Sequence, residues 1–551
     1  MIVQTVHITA QAVQNCAVPD VGYFLREVCQ ALTSDTIILF EEGFTAKIRE
    51  TYLPEAFFFM SNNDGSLKPC AFLLENVENI TIDGNGAELD FVGRVVPFFL
   101  NHCKNVTIKN FKLDYVRPFT SQGEVLYADE NRAVLAVDKT LYPYTIHHDI
   151  AVFTGENYQS NYVHGMLEFY KEPKRPVKNA FDNFVRGALH ARETEEGHLE
   201  ILHHFDFVPT VGNILTIKHE HRLISAININ ACEDVFIDHV HLKQSGSMGI
   251  IAQLTKNIYI NKFEVYSDSE RVFTLNADAT HFVNCCGEIK MTHSRLEGMF
   301  DDAINVHGNH LLIDTVLDAQ TVIVQLPHFQ QVGLMNMFPG NHVIISDKKT
   351  MQKHFDATID HVEIFNKKYA KLFLREAIPF AKDGLYCLDN MDLHPKVTVQ
   401  HNFFGKNRAR GILLTTTKEV LVENNVFDCE GTCILVNSDM FDWFESGAMS
   451  KIIVKNNTLV RQNQVNWGKG LIDIDPRMEK EMEGVYYHGI LVLEDNTATL
   501  QQTPFVYGFS FTKALIHNNT VHLTTPEYTP VFSIRNCGEV DLQNNHILKE
   551  E

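Results

Sequence analysis

The sequence predicts an all-β protein: a right-handed parallel β-helix with two small inserted β-barrels and a short N-terminal capping helix. Three observations predict it. A short strand-and-turn pattern recurs along the chain, two oversized gaps break its period, and an amphipathic stretch precedes the first copy.

The repeat is a small residue, two polar residues, then β-branched or aliphatic anchors two apart. It reads CKNVTIKNF from Cys103, CEDVFIDHV from Cys232, TKNIYINKF from Thr255, CGEIKMTHS from Cys286, TKEVLVENN from Thr417 and CGEVDLQNN from Cys537. Weaker copies start at Glu78, Pro395 and Lys451. The first anchors are Ile80, Val106, Val235, Ile258, Ile289, Val397, Val420, Ile452 and Val540; Ile80 to Val106 is 26 residues, and Val235 to Ile258 and Val397 to Val420 are 23 each. One such coil cannot bury its apolar side alone, whereas stacked coils share a continuous core. Cys103, Cys232, Cys286 and Cys537 each precede an anchor by three residues and read as an inward ladder. The Asn pairs at 424–425, 456–457, 518–519 and 544–545 read as turn ladders, since Asn tolerates the left-handed backbone.

Val106 to Val235 spans 129 residues and Ile289 to Val397 spans 108, both far more than one coil. The excess segments alternate with a two-residue period, as in HLLIDTVLDAQTVIVQL, and read as inserted barrels. The expected organisation is therefore a capped β-helical part over 1–117, a barrel over 118–223, central coils over 224–308, a second barrel over 309–394 and C-terminal coils over 395–551. Asp20 to Leu32 reads as the capping helix, with Asp20 as N-cap and Phe24, Val28 and Leu32 on one face. Such a helix covers strand edges that would otherwise invite aggregation.

Composition narrows the function. A hydrophobic content of 45% supports a large core, and a formal charge of −22 disfavours nucleic acid and anionic membranes as partners. No apolar run reaches transmembrane length, and MIVQTVHITAQ lacks the basic and apolar regions of a signal peptide. The 11 cysteines form no metal-type CxxC pairs and suggest a reducing compartment, so a cytoplasmic location is expected, with export left open. No cofactor and no metal are expected, and a homodimer stays open.

Counting from the anchors puts Asp301 12 residues after Ile289 and Asp278 11 before it. One column then reads Ser247, Asp278, Asp301, Ala409, Thr432, and the next reads Met248, Ala279, Asp302, Arg410, Cys433. Coils stack about 4.8 Å apart, so Asp278, Asp301 and Asp302 share one patch. Like charges that close raise at least one pKa, and Asp301, feeling two neighbours, is expected to be raised most. Arg410 would keep Asp302 ionised. Capping of turns and calcium binding are the rival readings of the cluster. Paired carboxylates without a nucleophile triad point to glycoside hydrolysis, with an acid and a base typically about 6.5–9.5 Å apart when the reaction inverts. Asp301 is assigned as the acid, Asp278 and Asp302 as water-holding bases, with the reverse order, Asp278 as acid, as the alternative. The substrate-binding candidates are Asn276, Asn305, His307, Arg410, Trp443 and Glu445. Trp443 and Trp467 are the chain's only tryptophans, suited to stacking on a sugar ring.

The motifs NADATHF from Asn276, DDAINVHG from Asp301, RARGILLTT from Arg408 and DWFESG from Asp442 resemble glycoside hydrolase family 110. That resemblance, which spans almost the whole chain, implies a β-helix with two β-barrel insertions. It implies an exo-acting, inverting α-1,3-galactosidase of blood group B-type or linear α-galactosyl glycans, with catalytic roles at Asp278, Asp301 and Asp302. Two rivals remain at this point. Polygalacturonase-type pectinases also place an Asp one coil before an Asp-Asp pair, but must bind polyanions. A non-catalytic glycan-binding β-helix, as in phage tailspikes, would not need three stacked carboxylates.

Overall fold

The computed structural model describes residues 4–63, 65–179, 182–379, 381–461, 468–501, 503–524 and 530–549. Trp467 lies outside them.

The coils stack into three long parallel ladders. In the first, Ile80, Val106, Val235, Ile258, Ile289, Val397, Val420 and Ile452 each pair with the next in register. Leu491 and Ala514 continue the column to Val540. All but Val540 are essentially sealed from solvent. Burying each aliphatic anchor contributes about 1.5–3 kcal/mol. The copies at Leu491 and Ala514 escape the pattern because bulky His488 and Phe511 stand where it has a small residue. At the last coil Val540, Leu542, Ile547 and Leu548 are exposed.

Each gap is bridged by a direct rung. Lys104–Tyr115 pairs with Glu233–Leu242, and Cys286–Thr292 pairs with Lys396–Gln400. The first intervening segment forms a seven-stranded antiparallel sheet between Ser121 and Lys218, with a separate three-stranded sheet from Tyr144 to Ser160. The two sheets share one core that includes Leu135, Tyr144, Phe153, Val163 and Ile217. The second segment is a closed six-stranded barrel between Leu311 and Asn390. At the N-terminal end, helix Val21–Gln30 starts at Asp20, whose carboxylate accepts from Tyr23 N at 3.1 Å, and buries Leu25 and Val28. A one-turn helix, Ala10–Gln14, precedes it; five residues are too few to show a helical period in the sequence.

The Asn pairs divide their labour. Asn424, Asn456, Asn518 and Asn544 take the left-handed backbone, with φ of 55°, 54°, 56° and 52°. The second residue of each pair turns inward. Asn402, Asn425, Asn457, Asn496, Asn519 and Asn545 form an amide ladder, buried up to Asn519, each Nδ2 donating to the next Oδ1 at 2.9–3.0 Å. Asn402 and Asn496 belong to it although His401 and Asp495 take the left-handed place before them. An Asn457→Ala change strands partners on both sides, and a stranded buried polar group costs about 1–3 kcal/mol. Denaturant unfolding should register a loss at the upper end of that range.

The cysteine ladder needs one correction. Cys103 and Cys232 are stacked and buried, with Cys103 N donating to Cys232 Sγ at 3.3 Å. Thr255 and then Cys285, not Cys286, continue the inward position. The cause is a one-residue bulge. Lys256 pairs with Cys286 but Ile258 pairs with Ile289, so two residues, Gly287 and Glu288, face the single Asn257, and Gly287 supplies φ of 69°. Cys537 is only partly buried because its coil is the last described.

Candidate active site

The same bulge corrects the register of the aspartates. Thr280 pairs with Ile250 and Ile304, and Ile304 pairs with Ile412. Two residues upstream, Met248, Asp278, Asp302 and Arg410 therefore share one column. Asp278 sits below Asp302, not below Asp301 as counting from the anchors had it. Asp301 belongs to the neighbouring column with Ala409. The backbone confirms this: Ala279 N donates to Asp302 O at 2.9 Å.

This column sits where the chain turns into the third ladder, and each carboxylate is used to hold the rung above. Asp278 Oδ1 accepts from Asp302 N at 3.0 Å, and Asp302 Oδ1 accepts from Arg410 N at 3.0 Å. Asp302 Oδ2 also receives Arg410 Nη2 at 2.7 Å. Asp278 Oδ2 lies 2.6 Å from His281 Nδ1. Both side chains are buried, whereas that of Asp301 is 25% exposed and has only Oδ2 engaged, by Arg222 Nη2 at 2.8 Å. One oxygen from each of the three carboxylates lies within 4.8 Å of the others. That is closer than the spacing expected for an acid and base on opposite sides of a sugar.

The electrostatics overturn the expectation that Asp301 is raised most. Burial, with Asp301 adding, pushes Asp278 up to about 8. Burial likewise lifts Asp302 well above the usual carboxylate range, so Arg410, which pulls the other way, does not keep it ionised as expected. Asp301 also feels desolvation, but Arg222, Arg410, Arg408 and Lys218 outweigh it and hold its carboxyl below the ordinary value. The cluster thus keeps a proton on its buried members while the open member is ionised, and such a set titrates as a unit. A calcium ion needs six to eight oxygen ligands. Here guanidinium groups already neutralise Asp301 and Asp302, and a histidine ring occupies Asp278, so the set does not suit calcium.

The aspartates floor a cavity of about 360 Å³ whose lining includes Asn62, Arg222, Asn305, Trp443 and Glu445. Its walls come from distant parts of the chain. Asn62 N donates to Gln330 O at 2.9 Å, tying the first coils to the second insertion. Asp439 gathers Phe441 N, Asp442 N, Trp443 N and Phe444 N at 2.7–3.2 Å, which shapes the turn that presents Trp443. Trp443 is 39% exposed, rests against His328 with ring centroids 4.5 Å apart, and accepts from Gln331 Nε2 at 2.8 Å through its carbonyl. An ion pair between Arg408 and Asp182, with another from Arg175 to Glu430 at 2.8 Å, fastens the first insertion to these coils.

Sequence comparison adds an independent line. Residues 121–215 match the family model "GLAA-B beta-barrel domain I", and 321–381 match "GLAA-B beta-barrel domain II". The chain is 29% identical to alpha-1,3-galactosidase B of Bacteroides thetaiotaomicron, over 88% of this chain and 81% of the relative. It is 30% identical to alpha-1,3-galactosidase A of Shewanella woodyi, over 80% of this chain and 73% of the relative. Against alpha-1,3-galactosidase B of Bacteroides fragilis it is 30% identical, over 86% of this chain and 83% of the relative. The chain belongs to glycoside hydrolase family 110.

Within this family 110 site, the substrate-binding candidates separate. Asn305, Arg410, Trp443 and Glu445 line the cavity. Asn305 Oδ1 is buried without a protein partner, an acceptor available to a sugar hydroxyl. Arg410 is engaged by Asp302. Asn276 is not part of the lining: its amide accepts from Thr120 Oγ1 at 2.8 Å and donates to Glu220 O at 3.1 Å, so it pins the neck of the first insertion. His307 is also behind the wall, buried against His281 with Nε2 atoms 3.1 Å apart. Sequence reasoning missed Arg222, which sits at the end of an insertion where no repeat registers it. It also missed His281, although the residue lies inside the NADATHF motif, three after Asp278 and therefore on the next strand. Asn62, Arg408, Asp439 and Arg477 also line the cavity and carry no repeat-based signal.

Proposed function

We propose that the protein is an exo-acting glycoside hydrolase that removes terminal α-1,3-linked galactose with inversion. The observation that carries the reading is the triad of carboxylates at the floor of a walled cavity, in a chain of this family. A cavity of about 360 Å³ is on the scale of a terminal sugar with part of its neighbour. Its arginines are each matched by a carboxylate: Arg222 by Asp301, Arg410 by Asp302, Arg408 by Asp182 and Arg477 by Asp442. A pectinase would need cations left over for its polyanionic substrate. A glycan-binding β-helix would gain nothing from three desolvated carboxylates.

Geometry sets the roles before pKa does. Asp301 alone offers an unbonded oxygen to the cavity, so Asp301 is the acid on the glycosidic oxygen. Asp278 and Asp302, at one register position on adjacent coils, hold the attacking water. In the productive complex one proton must therefore pass from the buried pair to Asp301, with no change in total charge. Arg222 sets that balance, since it holds Asp301 ionised while the site is empty. The short carboxylate spacing favours a second reading, retention with ionised Asp301 as nucleophile, for which the two carboxyls typically lie about 5 Å apart.

The test of the activity is galactose release from linear α-1,3-galactobiose and from the B-type trisaccharide, measured side by side. Release from at least one supports the reading; release from neither, with cleavage of polygalacturonate, overturns it. A Trp443→Ala variant should keep its fold and lose about 1 kcal/mol of transition-state stabilisation, the scale of one aromatic contact. That corresponds to about a 5-fold fall in kcat/KM, read directly from initial rates.

A further inference from the structure

From His281 in the cavity lining a chain of hydrogen bonds runs inward that the hydrolytic roles do not use. His307 Nδ1 lies 2.9 Å from Gly308 O, His307 Nε2 lies 3.1 Å from His281 Nε2, and His281 Nδ1 lies 2.6 Å from Asp278 Oδ2. Its direction is fixed from one end. A carbonyl oxygen only accepts, so His307 Nδ1 carries a hydrogen. Only one hydrogen fits between the two Nε2 atoms. Placing it on His307 would make that ring a cation with almost no exposure, its nearest carboxylate Glu445 at 3.7 Å. Burying a cation without a close partner is costly, so the hydrogen belongs to His281 Nε2. The His281 ring is itself held neutral by burial and by its histidine neighbour. Its Nδ1 is then a bare acceptor, and a bare acceptor 2.6 Å from a carboxylate oxygen requires a hydrogen on that oxygen.

We propose that His281 and His307 are positioning residues that decide where the aspartate cluster keeps its proton. Anchored at the Gly308 carbonyl, they form a one-directional chain that ends in a protonated Asp278. This rests on the hydrolase reading of the cluster for its purpose, but not for its geometry. The consequence is that the empty site stores its acid proton on a carboxyl that cannot reach the substrate, and Asp278 becomes a base only when that proton is given up. Hydrogen bonding to the neutral form raises a carboxyl's pKa. The histidines therefore add to what burial and Asp301 already do, against Arg222 and Arg410. Besides those groups and Asp302, Asp278 faces His281; His281 faces His307 and Glu445.

Neutron diffraction from the deuterated protein reads the chain without any assay. Deuterium on Asp278 Oδ2 and on His281 Nε2 supports the proposal; deuterium on His281 Nδ1 overturns it. The kinetic test uses His307→Leu, a residue that touches none of the aspartates. Without His307 to fix its tautomer, His281 can turn its hydrogen to Nδ1 and donate to ionised Asp278. The basic limb of the kcat/KM profile should then fall by about one pH unit, and His281→Leu should shift it the same way. A lower rate with an unmoved limb in both variants is what a merely structural role gives, and it overturns the proposal. Absence of galactosidase activity in the unmodified protein would instead refute the proposed function, and the neutron result would stand apart from it.

Discussion

Asp301→Asn should lower kcat/KM on α-1,3-galactobiose by about 10²- to 10⁴-fold, the usual worth of general acid–base catalysis. An aryl α-galactoside, whose leaving group departs with little protonation, should lose far less. The prediction follows from access: Asp278 and Asp302 have both oxygens engaged and are buried, whereas Asp301 faces the cavity. Replacing either buried aspartate should depress both substrates alike, because the attacking water is needed in each reaction. Equal losses on both substrates for Asp301→Asn, with Asp278→Asn sparing the aryl galactoside, would exchange the two roles.

Asp278→Asn should stabilise the fold at alkaline pH while it abolishes turnover. The Asp278 carboxyl is pushed up to about 8, chiefly by burial, against about 3.9 for an unfolded aspartate. A group raised in the folded state contributes stability that is complete below the unfolded value, near pH 4, and is lost as pH rises through the folded value, near pH 8. Above pH 8 the native protein must hold a negative charge on the buried Asp278, beside ionised Asp301. The amide substitute carries none, still accepts from Asp302 N through its oxygen, and donates to the bare His281 Nδ1 as the protonated acid would. Calorimetric melting at pH 9 should place the variant above the unmodified protein, by a free energy on the order of a few kcal/mol. The difference should shrink toward pH 5, and a constant offset across that range would contradict the raised carboxyl.

The coils were legible because their physics is periodic. Ile80 through Ile452 repeat one burial requirement, and a spacing of 23 to 26 residues is visible without any structure. The cluster was legible for the same reason, since Asp278, Asp301 and Asp302 fall at corresponding places in consecutive coils. The exact partner of Asp278 was not. A single bulged residue near Gly287 shifts every position counted backward from Ile289, and it moved both Asp278 and the inward cysteine by one. Nor was the protonation order legible. Proximity of like charges is visible in a sequence, but Arg222 comes from the end of an insertion and reverses the outcome for Asp301. Asn276 shows the converse failure. It sits beside catalytic residues in the chain, yet its side chain faces Thr120 and Glu220, because the chain bends between Asn276 and Asp278 and strand alternation does not carry across.

The stereochemistry of the first product separates the two readings of this carboxylate cluster most directly. Proton NMR of α-1,3-galactobiose hydrolysis, recorded before mutarotation equilibrates the sugar, resolves the two anomers of the galactose released. Attack by a water held on Asp278 and Asp302, with Asp301 as acid, gives β-galactose first. Appearance of α-galactose first would contradict the account and make Asp301 a nucleophile.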